Sequence, residues 1–171
     1  TCGGMGLTGV IIGARIRLKP IVSSDILETT IKAPNLDGVL DGFEQYAHST
    51  YSVAWIDCLK AGNALGRSVL LLGEHSERGV QELSFKEPIN VPINTPAFLL
   101  NQMSIRSLNT SYYIKAINNQ SKNVSITSFF YPLDTIGSWN KLYGKKGFIQ
   151  YQFVLPNESG ISDMRKIWSI K

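Results

Sequence analysis

The residues of this chain that could do chemistry fall into three clusters. The first is Gly3, Gly4, Gly6 and Gly9 within GGMGLTGV. Glycines at that density permit positive φ and let backbone approach a ligand closely. Successive N–H groups in such a turn can hold a pyrophosphate. On spacing alone, a tight turn ahead of a strand is the simpler account. The second cluster is Trp55 with Pro132, Leu133, Asp134, Trp139, Asn140 and Tyr143. Aromatic side chains in loops serve as lids or core plugs more often than as ligand contacts. The third is Gln150 and Gln152. In a strand, alternate side chains share a face, so Phe148, Gln150, Gln152 and Val154 fall on one face. Ile149, Tyr151, Phe153 and Leu155 then fall on the core face. A face that is half apolar and half amide suits a cavity wall, because amides donate and accept without carrying charge. An ordinary outer face fits the same pattern.

Other chemistry is absent from the sequence. His48 and His75 are the only histidines, and neither lies at ligand spacing from a cysteine or a carboxylate pair. No metal site is expected. There is no Gly-x-Ser-x-Gly, no phosphate-binding P-loop and no His-Glu-x-x-His, so no catalytic residue is assigned within the chain. Cys2 and Cys58 form no Cys-x-x-Cys and no disulfide framework, which favours a reducing compartment.

The chain has 171 residues, of which 43% are hydrophobic and 18% charged, with a net charge of +4. That length holds one domain or one and a half, at about 100–200 residues per domain. The balance supports a packed core and excludes a disordered tail or a coiled coil. The positive charge is scattered rather than gathered in a stripe, so no nucleic-acid partner is expected. The longest apolar runs, such as Val69 to Leu72, are far short of the roughly 20 residues of a membrane span. The opening residues are not expected to be a signal peptide. The sequence starts at Thr1 and ends at Lys171 in a helical pattern, and it reads as a segment of a longer protein.

Several elements must position these clusters. Residues 9–20 start as an apolar run and then alternate Ala14, Ile16, Leu18 against Arg15, Arg17, Lys19, a strand pattern. Strands are also predicted over 24–33, 50–57, 67–75, 122–130 and 147–155, the last being the clearest. Leu36, Val39, Leu40, Phe43 and Tyr46 recur at helical spacing over 36–48, with Asn35 or Asp37 as cap. Residues 58–66 read as a loop, 76–95 as an irregular excursion, and 133–146 as a loop with one helical turn. Residues 96–118 start as a helix, while 111–117 fits either a helix or a strand. A helix follows Pro156. This order is not the regular β-α alternation of a doubly wound fold. It predicts an α+β fold, an antiparallel β-sheet with helices packed on one face.

Three segments carry a family resemblance: GGMGLTGVI, YSVAWID, and FFYPLDTIGSWNKLYGKKGFIQYQFVLP. They resemble the FAD-dependent oxidases that act on decaprenylphosphoryl-β-D-ribose, flavoproteins of the vanillyl-alcohol-oxidase type. The resemblance is dense over 1–18, 50–74 and 128–156 and thin over 76–125. It implies a two-domain oxidase, with residues 1–18 the C-terminal edge of an FAD-binding domain. Residues 19–171 would be most of the substrate (cap) domain, whose sheet roofs the flavin. Gly3, Gly4, Gly6 and Gly9 would then touch FAD through backbone atoms.

By position, Gln150 and Gln152 match glutamines that face the family's substrate pocket, and Trp55 matches a pocket-lining tryptophan. Leu133 falls in a mobile loop over the pocket, and Lys141 falls near a family arginine. Phe130 stands where the family has a tyrosine that covers the site, and Val53 stands at a serine position. Those two lost hydroxyls put the identity of the sugar or its lipid carrier in doubt. The family's pocket lysine and cysteine belong to a later segment that this chain lacks. The implied reaction oxidises the ribose 2-hydroxyl of a polyprenyl-phosphate ribose by hydride transfer to flavin. A partner reductase would then complete the epimerisation to arabinose. A lipid-linked substrate implies a cytoplasmic location or one peripheral to the membrane, although no segment reads as an anchor. Two alternatives stay open: an aldonolactone or alditol oxidase of the same superfamily, and a standalone non-catalytic domain of the same fold.

Overall fold

The computed structural model describes residues 3–77, 79, 88–144, 147, 152–156 and 160–169. In chain order the elements are β1 (Asp25–Ala33), α1 (Leu36–Gln45), β2 (Tyr51–Ile56), β3 (Ser68–His75) and β4 (Ile89–Asn90). They continue with α2 (Gln102–Lys115), β5 (Gln120–Ser125), α3 (Ile126–Phe130), β6 (Ile136–Gly137) and α4 (Gly160–Ser169). Strands β2, β3, β1 and β5 form, in that order, a four-stranded antiparallel sheet, so the architecture is α+β. The short strands β4 and β6 pair in parallel beside it.

Helix α1 starts where the sequence predicts. The Asn35 side chain accepts the Gly38 N–H at 2.9 Å, satisfying one of the donors that a helix start leaves open. Its apolar stripe lies on β1 and β3. The register sets Ile31 opposite Leu70 and Leu70 opposite Ala54, so these three share one sheet face. There Ala33, Leu36, Val39, Leu70 and Leu72 form the core, with Ile31, Leu40, Phe43, Tyr46, Ala54 and Met164 packed around them. The opposite face carries Tyr51, Val53 and Trp55 of β2 beside Val69, Leu71, Gly73 and His75 of β3. Side chains from α2 and α3 reach that second face.

Helix α2 runs through Lys115, so residues 111–115 are helical. Its Asn101 cap accepts the N–H groups of Met103 and Ser104.

Three strand expectations need correction. Residues 9–20 are in no ladder and are exposed, with Val10, Ile12 and Leu18 almost bare. A strand requires a partner for its N–H and C=O groups, and none of the described strands supplies one. The strand expected over 122–130 ends at Ser125, whose hydroxyl accepts the Ser128 N–H at 3.2 Å and starts α3. The local side-chain bond outcompetes the ladder. Residues 152–155, expected to close the clearest strand, are irregular and mostly exposed, while 148–151 lie outside the described residues. Among the described residues, no helix is long and apolar enough to cross a membrane.

Leu70 is fully buried at the centre of the core. Replacing it with Ala is expected to cost about 2–5 kcal/mol, because lost transfer energy and a residual cavity add. The exposed Ile89→Ala should stay within about 0.5 kcal/mol of the parent. Urea unfolding checks both, with the slope unchanged if only the native core is affected.

Candidate functional site

The open face of β2 is the surface on which candidate residues meet. Tyr51, Val53 and Trp55 point the same way along the sheet edge. At about 3.3 Å per residue, they line a trough roughly 13 Å long. Val53, about half exposed, forms its middle.

At one end the Trp55 ring lies 4.6 Å from the Tyr112 ring of α2. Burial pushes the Tyr112 phenol pKa up, reinforced by the negative charge of Glu28 and only partly offset by Lys122. What sets α2 here is a buried ion pair just beyond Trp55. Asp57 is 1% exposed. Its carboxylate accepts Arg67 Nε at 2.9 Å and pairs with the same guanidinium at 2.8 Å. Asn109 of α2 donates to its other oxygen at 2.8 Å, and the Leu59 N–H does so at 3.1 Å. Arg67 also donates to Thr110 at 2.9 Å and lies over the Tyr113 ring. Tyr113 donates to the Ala33 carbonyl. The Asp57–Arg67 pair thus joins the ends of β2 and β3 to Asn109, Thr110 and Tyr113 on one side of α2.

Burial alone would raise the Asp57 pKa, but the bonds from Asn109, Leu59 and Arg67, with the Arg67 charge, outweigh it and hold the carboxyl below its usual value.

At the other end the Tyr51 hydroxyl lies 3.1 Å from His75 Nε2. Phe130 meets the Tyr51 ring edge-on at 4.8 Å, and Phe129 meets Phe130 at 5.1 Å. Phe129 sits directly over Gly73, where an added Cβ would lie 2.6 Å from its ring. A glycine is required there by close approach. Lys19 holds its ammonium 5.6 Å from the Tyr51 ring centre.

The sequence-derived candidates divide accordingly. Trp55 and Phe130 reach the two ends of one trough. Leu133 follows Phe130 in a half-exposed turn closed by a Thr135 hydroxyl bond to the Pro132 carbonyl. Lys141 belongs to a different cluster, where its ammonium meets the Pro92 carbonyl and its own carbonyl accepts the Thr95 N–H. Trp139 and Tyr143 pack on each other in that same turn. Gln152 is exposed, and Gln150 lies outside the described residues. Gly3, Gly6 and Gly9 have φ of +88°, +76° and +142°, and nothing lies within 4 Å of the Cβ each lacks. Their backbone conformation, not crowding, calls for glycine. The turn closes through the Leu7 N–H on the Gly4 carbonyl. Among the described residues, no three His, Cys, Asp or Glu side chains converge as a metal site would need.

Sequence reasoning missed Tyr51, His75, Asp57, Arg67, Asn109 and Tyr112. For one pair a signal was present. Asp57 closes β2 and Arg67 opens β3 across a single loop, so an antiparallel hairpin sets opposite charges side by side.

No family model matches the chain. Over 93% of its length it is 33% identical to a decaprenylphosphoryl-beta-D-ribose oxidase of Mycolicibacterium smegmatis. It is a distant homologue of part of that oxidase. The aligned region spans 37% of the oxidase, so the chain corresponds to little more than a third of its relative. A Streptomyces coelicolor protein described only as uncharacterized, in the mprA 5′ region, is 35% identical over 77 residues. That match spans 44% of this chain and 21% of the relative.

Asp57 contributes stability that is present above the unfolded carboxylate value of about 3.9. It is lost as pH falls through the lower folded value. The acid limb of a melting-temperature profile should therefore flatten in Asp57→Asn. Asp57→Ala, which strands Arg67, is expected to cost about 3–5 kcal/mol at neutral pH, read by urea unfolding. An acid limb identical to the parent's would show that other carboxylates set it.

Proposed function

We propose that this chain is the substrate domain of an FAD-dependent oxidase. Residues 1–18 form the edge of the FAD-binding domain, and 19–171 form most of the substrate domain. The substrate is a polyprenyl-phosphate ribose, oxidised at its 2-hydroxyl, and a partner reductase completes the conversion to the arabinose epimer. The observation that carries this reading is the match to the mycobacterial oxidase along nearly the whole chain. The aromatic trough on β2 is compatible with it.

Gly3, Gly6 and Gly9 fit contact with a flat cofactor, since their backbone is exposed and no Cβ intrudes on it. Flavin, when bound, supplies a hydride acceptor that side chains cannot provide. The chain's own part is binding and orientation. Trp55, Phe130 and Leu133 offer apolar surface that excludes water around the sugar. The amides of Gln150 and Gln152 orient the reacting hydroxyl without taking up charge. Lys141 holds the turn at Pro92, and the reading gives its cation to the substrate side of that loop. Orientation of this kind is worth a large share of a barrier, because a misplacement of about 1 Å can cost about 100-fold in rate.

The test uses the native protein that contains this chain, purified from its source. Flavin should be released on denaturation, and decaprenylphosphoryl-β-D-ribose should be oxidised to a ketone. Gln152→Ala should lower kcat/KM by about 100-fold with flavin content unchanged. Oxidation of soluble aldonolactones or alditols instead would move the assignment to that substrate class. A native protein with neither flavin nor turnover would overturn the oxidase reading.

A further inference from the structure

Phe130 stands at one end of the trough and has no polar atom with which to fix its own orientation. The rings it touches must do so. These are Phe129, with centres 5.1 Å apart, and Tyr51, met edge-on at 4.8 Å. Phe129 is seated on Gly73. Tyr51 has no such seat. It opens β2, which is an edge strand, and its side chain is partly exposed. Ring contacts alone accept a range of tilts, whereas a hydrogen bond is directional. Among the described residues the Tyr51 hydroxyl makes one, at 3.1 Å to Nε2 of His75. The register makes that bond possible. Tyr51 lies opposite Gly73, and His75 is two residues further along β3 on the same face.

His75 is poorly suited to a purely structural task. Its Nδ1 is buried and has no hydrogen-bond partner among the described residues. An imidazole satisfied at one nitrogen adds little net stability, because the other nitrogen keeps its desolvation cost. What the bond supplies is direction. The neutral ring keeps it in either tautomer, by accepting the phenol proton or by donating to the phenol oxygen.

We infer that His75 is a positioning residue: through the Tyr51 hydroxyl it holds the Phe130 ring at the angle that shapes this end of the trough for the sugar. This rests on the substrate-domain reading above and adds to it the side chain that sets one end of the site.

The first experiment follows the Phe130 and Tyr51 rings by NMR in the full 171-residue chain. His75→Leu removes the bond from one side, and Tyr51→Phe removes it from the other. Each should weaken the cross-peaks between the Phe130 ring and the ring at position 51. His75→Gln, whose amide can still bond the hydroxyl, should restore them. The double variant His75→Leu/Tyr51→Phe should lose no more than either single variant, because both remove the same bond. The melting temperature of His75→Leu should not fall, since an apolar side chain replaces a half-satisfied imidazole. Unchanged cross-peaks in His75→Leu overturn the inference. So do losses that add in the double variant, or a His75→Gln chain that restores nothing. A His75→Leu chain that melts lower or does not fold also overturns it, because His75 would then be structural.

The second experiment uses the native protein. His75→Leu should raise KM for decaprenylphosphoryl-β-D-ribose about fivefold with kcat held, and His75→Gln should bring KM back. An active enzyme whose KM does not move overturns the inference while the oxidase reading stands. The expected ring response in a native protein with neither flavin nor turnover would overturn the oxidase reading and support the hold of His75 on Phe130.

Discussion

Asp57 is a carboxylate taken out of water, and a buried charge is tolerated only where donors replace its lost hydration. Here one side-chain amide, one backbone N–H and one guanidinium do so, and each comes from a different stretch of chain. Arg67 directly precedes β3, Leu59 lies in the loop, and Asn109 is on α2. The arrangement is therefore less a source of net stability than a determinant of position, since a buried ion pair gives little over an apolar replacement while a half-pair is costly. Any sliding of α2 along the sheet would break the Asn109 and Thr110 hydrogen bonds to this pair and leave its buried polar atoms short of partners. That penalty fixes where Tyr112 meets Trp55, and with it one end of the open face.

The other end is fixed by packing. Ser125 leaves the β5 ladder by capping α3, and this turn of helix brings Phe129 down onto Gly73. Phe130 then lies against Tyr51, whose hydroxyl is matched to His75 across the β2–β3 pair. Each step depends on a small residue at the right place: a serine that caps and a glycine that yields space. The β2 edge is left with aromatic groups at both ends and Val53 between them. The two ends are held by different physics, a buried charge and a close steric fit.

Much of the frame was legible in the sequence. Strands β1, β2 and β3 and helix α1 follow directly from apolar periodicity, because these elements bury one face on a common core. The expectations that failed share a cause. Residues 9–20 and 122–130 alternate as well as any strand, but periodicity names a face without naming a partner. The first finds no ladder among the described strands, and the second is interrupted by Ser125. Trp55 and Phe130 were legible as candidates, yet their shared surface was not, because 75 residues separate them and only the sheet register and α3 bring them onto one face. Tyr112 was hidden by a stretch that fits either a helix or a strand. The Asp57–Arg67 pair could have been read from opposite charges flanking the loop between two strands.

The chemistry of the open face follows from what it lacks as much as from what it holds. Val53 and Phe130 carry no hydroxyl, and the Tyr51 phenol on that face is within hydrogen-bonding distance of His75. Apolar surface of this kind discriminates weakly between ligands, since a methylene more or less changes binding by only about 1–3 kcal/mol. Hydrogen-bonding groups discriminate far more sharply, because a mismatched ligand leaves them desolvated and unpaired. Under the substrate-domain reading, selection among sugars must therefore come from hydrogen-bonding groups rather than from this apolar surface.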